Sequence, residues 1–212
     1  NLNQTVAALA TLQRARARFP ENFIIPYLKG LTHNRRKEYA EAIASFTAAE
    51  IFARVAEPKR LNDIFYFQLG SAYERSGNVS QAEKCFEKAL ELEPDFVEAM
   101  NYLGYMWAER GANLERARAL IEKALKAEPK NAAFLDSLGW VFFKLHQPEA
   151  ALEQLQKAVD YVEEPDATIY DHLGDVYAAL NQTEKAREAW RKSLKLEPNE
   201  QVQKKLDGLT VK

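Results

Sequence analysis

Cysteine is almost absent from this chain of 212 residues: Cys85 stands alone. A single thiol cannot close an internal disulfide, and the paired-cysteine spacings of zinc and redox sites cannot be built. Histidine is scarce as well, and neither His33 nor His146 has a second histidine or a cysteine at metal-ligand spacing. No stretch approaches the roughly 18 to 20 uncharged apolar residues that cross a bilayer, and no charged-then-apolar signal segment opens the chain. A membrane is therefore expected only through a segment outside this sequence. Net charge is close to balanced, at -2, so a basic footprint for nucleic acid is missing too. Nucleophile elbows, phosphate loops and dinucleotide fingerprints do not occur. The expectation is a noncatalytic protein with no cofactor, no metal and no small-molecule substrate.

The chain is 47% apolar, ample for a core, and its charge is uneven along its length. Residues 1–63 carry ten Lys/Arg against six Asp/Glu, which leaves the remainder acidic. The dominant feature is self-similarity. Leu-Gly recurs at Leu69-Gly70, Leu103-Gly104, Leu138-Gly139 and Leu173-Gly174, with a weaker copy at Gly30. Three residues after these four glycines stands an aromatic (Tyr73, Trp107, Phe142, Tyr177). Twelve after stands alanine (Ala42, Ala82, Ala151, Ala186) and sixteen after a large apolar residue (Phe46, Phe86, Leu155, Trp190). The Gly104 unit runs one residue late, at Ala117 and Ile121, and prolines 94, 129, 165 and 198 close most units. Apolar spacings of three and four within each half, split by Gly77-Asn78, Gly111 or Asn181-Gln182, predict helical hairpins. Glycine is expected to face alanine so that the two helices of a hairpin approach closely.

This pattern resembles the tetratricopeptide repeat, with Tyr66-Phe67-Gln68-Leu69-Gly70-Ser71-Ala72-Tyr73, then Ala82, Phe86, Ala89 and Pro94, as a near-complete copy. The resemblance implies an all-α, right-handed solenoid forming one continuous domain. Its repeats divide at 23–62, 63–96, 97–131, 132–166 and 167–200. Residues 1–22 space Ala8, Leu12, Ala15 and Pro20 like the second helix of an incomplete repeat, as in a fragment of a longer protein. Residues 201–212 place Val202, Leu206 and Leu209 on one side of a capping helix, with Lys204, Lys205 and Lys212 around it.

Asp171, His172 and Asp175 could suggest chemistry, but they occupy variable positions between frame residues. Asp171 and Asp175 share a helix face, and His172 points about 100 degrees away. A packing or surface histidine is expected, with Gln in its place nearly neutral, within about 0.5 kcal/mol. His146 falls where other repeats place a turn glycine, and His33 at a core aromatic position. Asp160, Glu163 and Glu164 read as a solvated helix end, and Cys85 as a partly buried, inert thiol.

In proteins this chain resembles, the first helices line a concave groove that holds extended peptides. The corresponding stripe reads Tyr27, Leu31, Asn34; Phe67, Ser71, Glu74; Asn101, Tyr105, Ala108; Asp136, Trp140, Phe143; and Asp171, Asp175, Ala178. Its candidate partner-binding residues are Tyr27, Phe67, Asn101, Tyr105, Asp136, Trp140, Phe143, Asp171 and Asp175, with Trp140 the expected anchor. The aspartates disfavour an acidic carboxyl terminus and suit an apolar segment carrying Lys or Arg toward the last two repeats. NYLGYMWAERG, DSLGWVFFKL, YDHLGDVYAAL and AREAWRKSL are similar to tandems in bacterial envelope tetratricopeptide proteins, some of them lipoproteins that scaffold periplasmic complexes. That implies a scaffold or adaptor with a protein or peptide partner, and favours the envelope or periplasm over the cytoplasm. Two alternatives remain open: the regulatory or substrate-binding arm of a larger enzyme, and self-association through Val6, Leu9 and Leu12.

Overall fold

The computed structural model describes residues 2–20 and 22–209, apart from the side chains of residues 2–4. Among them are twelve α-helices, a 3-10 turn at Pro58–Arg60 and no strand. After α1 (Leu2–Arg18), helices follow in pairs: α2 (Ile24–Arg35) and α3 (Tyr39–Ala56), α4 (Asp63–Arg75) and α5 (Val79–Leu92), α6 (Val97–Glu109) and α7 (Leu114–Ala127). Then come α8 (Ala132–Lys144) and α9 (Pro148–Tyr161), α10 (Ala167–Ala179) and α11 (Thr183–Leu196), and the closing helix α12 (Glu200–Gly208). This is an all-α solenoid of helical hairpins. It forms two compact units, residues 1–99 and 100–212. The expected Lys212 lies outside the described residues.

Local chemistry sets where several of the helices begin. The side-chain oxygens of Asn62, Asn131, Asp166 and Asn199 accept amide protons from the first turns of α4, α8, α10 and α12, satisfying donors that have no partner inside a helix. Every hairpin turn is built alike. Lys37, Gly77, Gly111, His146 and Asn181 take positive φ, and the next residue donates its N–H five residues back, to His33, Tyr73, Trp107, Phe142 and Tyr177. That is a helix stop in which one left-handed residue turns the chain onto its last open carbonyls. His146, read as standing at a turn-glycine position, does adopt φ of 60°.

Alanines of the repeat frame are fully buried, as are Phe46, Phe86, Ile121 and Leu155 sixteen or seventeen residues after their glycines. The glycines accommodate these large side chains more than they face alanine. A Cβ on Gly30 would lie 2.6 Å from the Phe46 ring, and one on Gly174 only 2.2 Å from Trp190. The alanine's backbone carbonyl is a further neighbour at Gly104 and Gly139, 3.1 and 3.2 Å from the added carbon. Backbone closeness is thus the lesser part of the requirement; room for a ring or branched chain is the greater.

The two ends follow the same frame. In α12, Val202 stands three residues after its cap, as Phe65, Phe134 and Ile169 do in their helices, and all four are buried. At the other end α1 lies more loosely on α2: Ala8 is exposed, Leu12 half-buried, and both border an apolar groove of about 620 Å³ with Leu28 and Leu31.

Candidate partner-binding face

Within the first unit, Tyr27 stacks on Phe23 with centroids 5.2 Å apart and leans on Phe46 and Phe65. Phe67 packs between Phe86 and Phe96. Both are half-buried, so each contributes to its hairpin's packing while keeping an exposed edge.

The second unit concentrates the remaining candidates on α6, α8 and α10. Trp140 stacks on His172 at 4.1 Å and 14°, and on Phe143 at 5.1 Å and 17°. Tyr105 of α6 lies 6.2 Å from the His172 ring. Four rings thus form a continuous wall across three first helices. Its centre is closed: Trp140 is only 7% exposed, and its indole N–H donates to Glu109. The stripe is therefore less open than expected, because His172 of the next hairpin covers the indole face. Tyr105 and Phe143 remain half-exposed.

His172, expected as a packing or surface histidine, is packed. It is 5% exposed, and its Nδ1 lies 2.9 Å from Asp136 Oδ1 on the preceding hairpin. Burial pushes the imidazole's pKa down, but the Asp136 carboxylate and its hydrogen bond, with Asp171 and Glu109 farther off, outweigh it, so His172 stands above the ordinary histidine range. A near-neutral exchange at this position does not fit such an environment. Helical geometry did separate His172 correctly from Asp171 and Asp175; it could not show which neighbour the ring would meet.

Asp171 and Asp175 are bridged by one cation. Lys205 of α12 donates to both, at 2.8 and 2.7 Å. Burial alone would raise the Asp175 carboxyl, and it stays raised despite Lys205. The three aspartates expected as open acid are thus already engaged, Asp136 by His172 and the other two by sharing one lysine, Lys205. Asn101 is also buried, and its Oδ1 has no hydrogen-bond partner among the described residues.

Beside the aromatic wall lies a polar cleft of about 270 Å³, lined by Tyr105, Glu109, Trp140, Asp171, His172, Glu197 and Lys205 among others. Its carboxylates outnumber its one lysine. Among the described residues no group of three or more His, Cys, Asp and Glu is placed to hold a metal ion, and no helix is long and apolar enough to cross a membrane.

A tetratricopeptide repeat family model matches residues 1–56, 67–132 and 112–168, and a second tetratricopeptide model matches 167–200. No curated protein matches the chain. Among solved structures, the Cut9 and Hcn1 hetero-tetramer of the APC/C is similar over 98% of this chain, with a TM-score of 0.82 at 17% identity. This chain spans only 40% of that one. MamA from Desulfovibrio magneticus RS-1 matches over 82% of this chain and 94% of its own, at 23% identity and a TM-score of 0.66. A thermophilic repeat protein of Thermus thermophilus, TTC0263, matches over 90% and 100%, at 17% identity and a TM-score of 0.70. These likenesses concern the fold. The repeated Leu-Gly frame, the hairpins built on it and the family models agree, and the chain belongs to the tetratricopeptide repeat family, whose fold is a protein-interaction module.

Proposed function

We propose that this protein is a noncatalytic scaffold that binds an extended partner segment along the first-helix face of residues 100–212. The observation that carries the reading is the wall of Tyr105, His172, Trp140 and Phe143 beside the polar cleft. Rings locked by stacking present apolar area at low entropic cost, because their rotamers are already fixed before a partner arrives. Tyr105 and Phe143 offer the contact area, while Trp140 and His172 hold them in place.

Charge selects the segment. With Asp136 held by His172 and Asp171 and Asp175 sharing Lys205, Glu109 and Glu197 add to the excess of carboxylate that favours a Lys or Arg on the partner. Asn101 supplies an amide whose oxygen a peptide N–H would satisfy after side-chain rotation, and Tyr27 and Phe67 hold the corresponding helix position within their own unit. Selection of random dodecapeptides against the whole chain tests this. Enriched peptides are expected to combine apolar residues with Lys or Arg and to lose binding at least tenfold on Tyr105→Ala. Enrichment of acidic peptides, or binding indifferent to Tyr105→Ala, would refute the reading.

A further inference from the structure

We infer that the outer face of α3 is a self-association surface that takes α3 of a second copy in antiparallel orientation. The inference concerns a different helix from the proposed partner-binding face and does not depend on it.

On α5, α7, α9 and α11 the second helix exposes a stripe that begins fourteen residues after its frame glycine, or fifteen on α7, and advances by 4 and 3. On α5 it reads Lys84, Lys88, Glu91; on α9, Glu153, Lys157, Asp160; on α11, Glu188, Lys192, Lys195; on α7, Ala119, Lys123, Lys126. All of these side chains are exposed. On α3 the same positions are Ala44, Ala48 and Ile51, and four residues further, in a turn those helices lack, stands Val55. Val55 is 86% and Ile51 60% exposed, the highest values among the exposed large apolar residues. Helix α3 also runs 18 residues where α5, α7, α9 and α11 run 14, and that added turn carries Val55. An apolar stripe in a register that is mostly charged on α5, α7, α9 and α11, on a helix longer than those four, marks a covered surface.

The composition of the stripe identifies its cover. Spacings of 4 and 3 are those of helices that pair along a seam. Small residues lie toward one end and large ones toward the other. An antiparallel second copy therefore sets Ile51 over Ala48 and Val55 over Ala44, and by symmetry does so twice, a self-complementary twofold contact. Charges agree with this direction: Glu41 stands exposed at the start of the stripe and Lys59 exposed just past its end, while Arg54 is paired with Glu50 of its own helix. Antiparallel pairing brings acid to base; parallel pairing would set like against like. The stripe is smaller than the roughly 800 Å² per partner of a tight interface, so the dimer should dissociate on dilution.

The test is sedimentation equilibrium of the whole chain between about 10 µM and 1 mM, the range of weak complexes. Mass is expected to rise toward twice that of the protomer. Ile51→Lys should stay monomeric with unchanged melting, since the side chain is mostly outside the core. Ala44→Lys alone should also stay monomeric, and Ala44→Lys with Val55→Glu should restore the rise, because the register sets each new lysine against the other copy's new glutamate. A parent that is monomeric throughout, a rise that survives Ile51→Lys, or a double variant that stays monomeric would each overturn the inference. Peptide binding on the α6, α8 and α10 face should be the same in all these variants, which keeps the two proposals separable.

Discussion

His172 Nδ1 meets Asp136 Oδ1 across 36 residues of sequence, at 2.9 Å, with the pair buried on both sides. The relationship follows from the repeat: Asp136 stands three residues before its glycine and His172 two before the next. Lys205 and Asp171 make a similar contact one repeat later, between α12 and α10 and across 34 residues. Such contacts link successive first helices through their variable positions and leave the repeated frame for packing within each hairpin.

The pair makes stability depend on pH. Because the folded imidazole titrates above its unfolded value of about 6.5, its contribution is full below that pH and is lost as pH rises through the raised folded value. Melting temperature is expected to fall through this window in the parent. Asp136→Asn should flatten the dependence, and thermal melts of both proteins from pH 5 to 9 check it.

Replacing His172 with Leu should be costly at any pH where Asp136 is charged. A buried carboxylate left without its partner typically costs about 3 to 5 kcal/mol. Gln, which can still donate, should cost less than Leu but more than a surface exchange. Urea denaturation of the three proteins measures the order.

Frame glycines should resist even a methyl group. Gly174→Ala is expected to destabilise by about 1 to 3 kcal/mol, since the added carbon would fall 2.2 Å from the rigid Trp190 indole. Gly77→Ala meets no neighbouring atom but has φ of 81°, so its cost is conformational alone. Denaturant midpoints distinguish the two mechanisms if Trp190→Phe partly rescues the first and leaves the second unchanged.

Cys85 should be unreactive in the folded protein. Burial, with the nearby Glu50 charge, pushes its thiol up to about 12, and the side chain is 8% exposed. Alkylation by iodoacetamide at neutral pH should be slow and should accelerate sharply in denaturant. Rapid labelling of the native chain would contradict this.

The repeat frame makes the hairpins, their turns, the buried alanines and the capping helix legible, because each depends on residues within one unit. Links between units are harder to read. The sequence neighbours of His172 say little about it, since its environment comes from a helix one repeat earlier. Aligning the positions just before each glycine across repeats sets Asp136, three before Gly139, in the column next to His172, two before Gly174. Trp140 looks open in the sequence for the same reason: nothing within its own helix indicates that the next hairpin lays a histidine on its ring. The α3 stripe also needs comparison between units, since Ile51 looks ordinary on a helix until the same register elsewhere is seen to be charged.

The central claim, that the α6, α8 and α10 face binds a partner segment, is tested most directly by measuring melting temperature and peptide affinity together for Phe143→Ala and Trp190→Ala. Phe143 is half-exposed at the end of the aromatic wall, and Trp190 is 4% exposed within the core. Trp190→Ala should cost about 3 to 5 kcal/mol of folding. Phe143→Ala should leave melting nearly unchanged and weaken the selected peptide by about 2 kcal/mol, as contact aromatics commonly do. A Phe143→Ala protein that melts like the parent and binds the peptide equally well would contradict the claim.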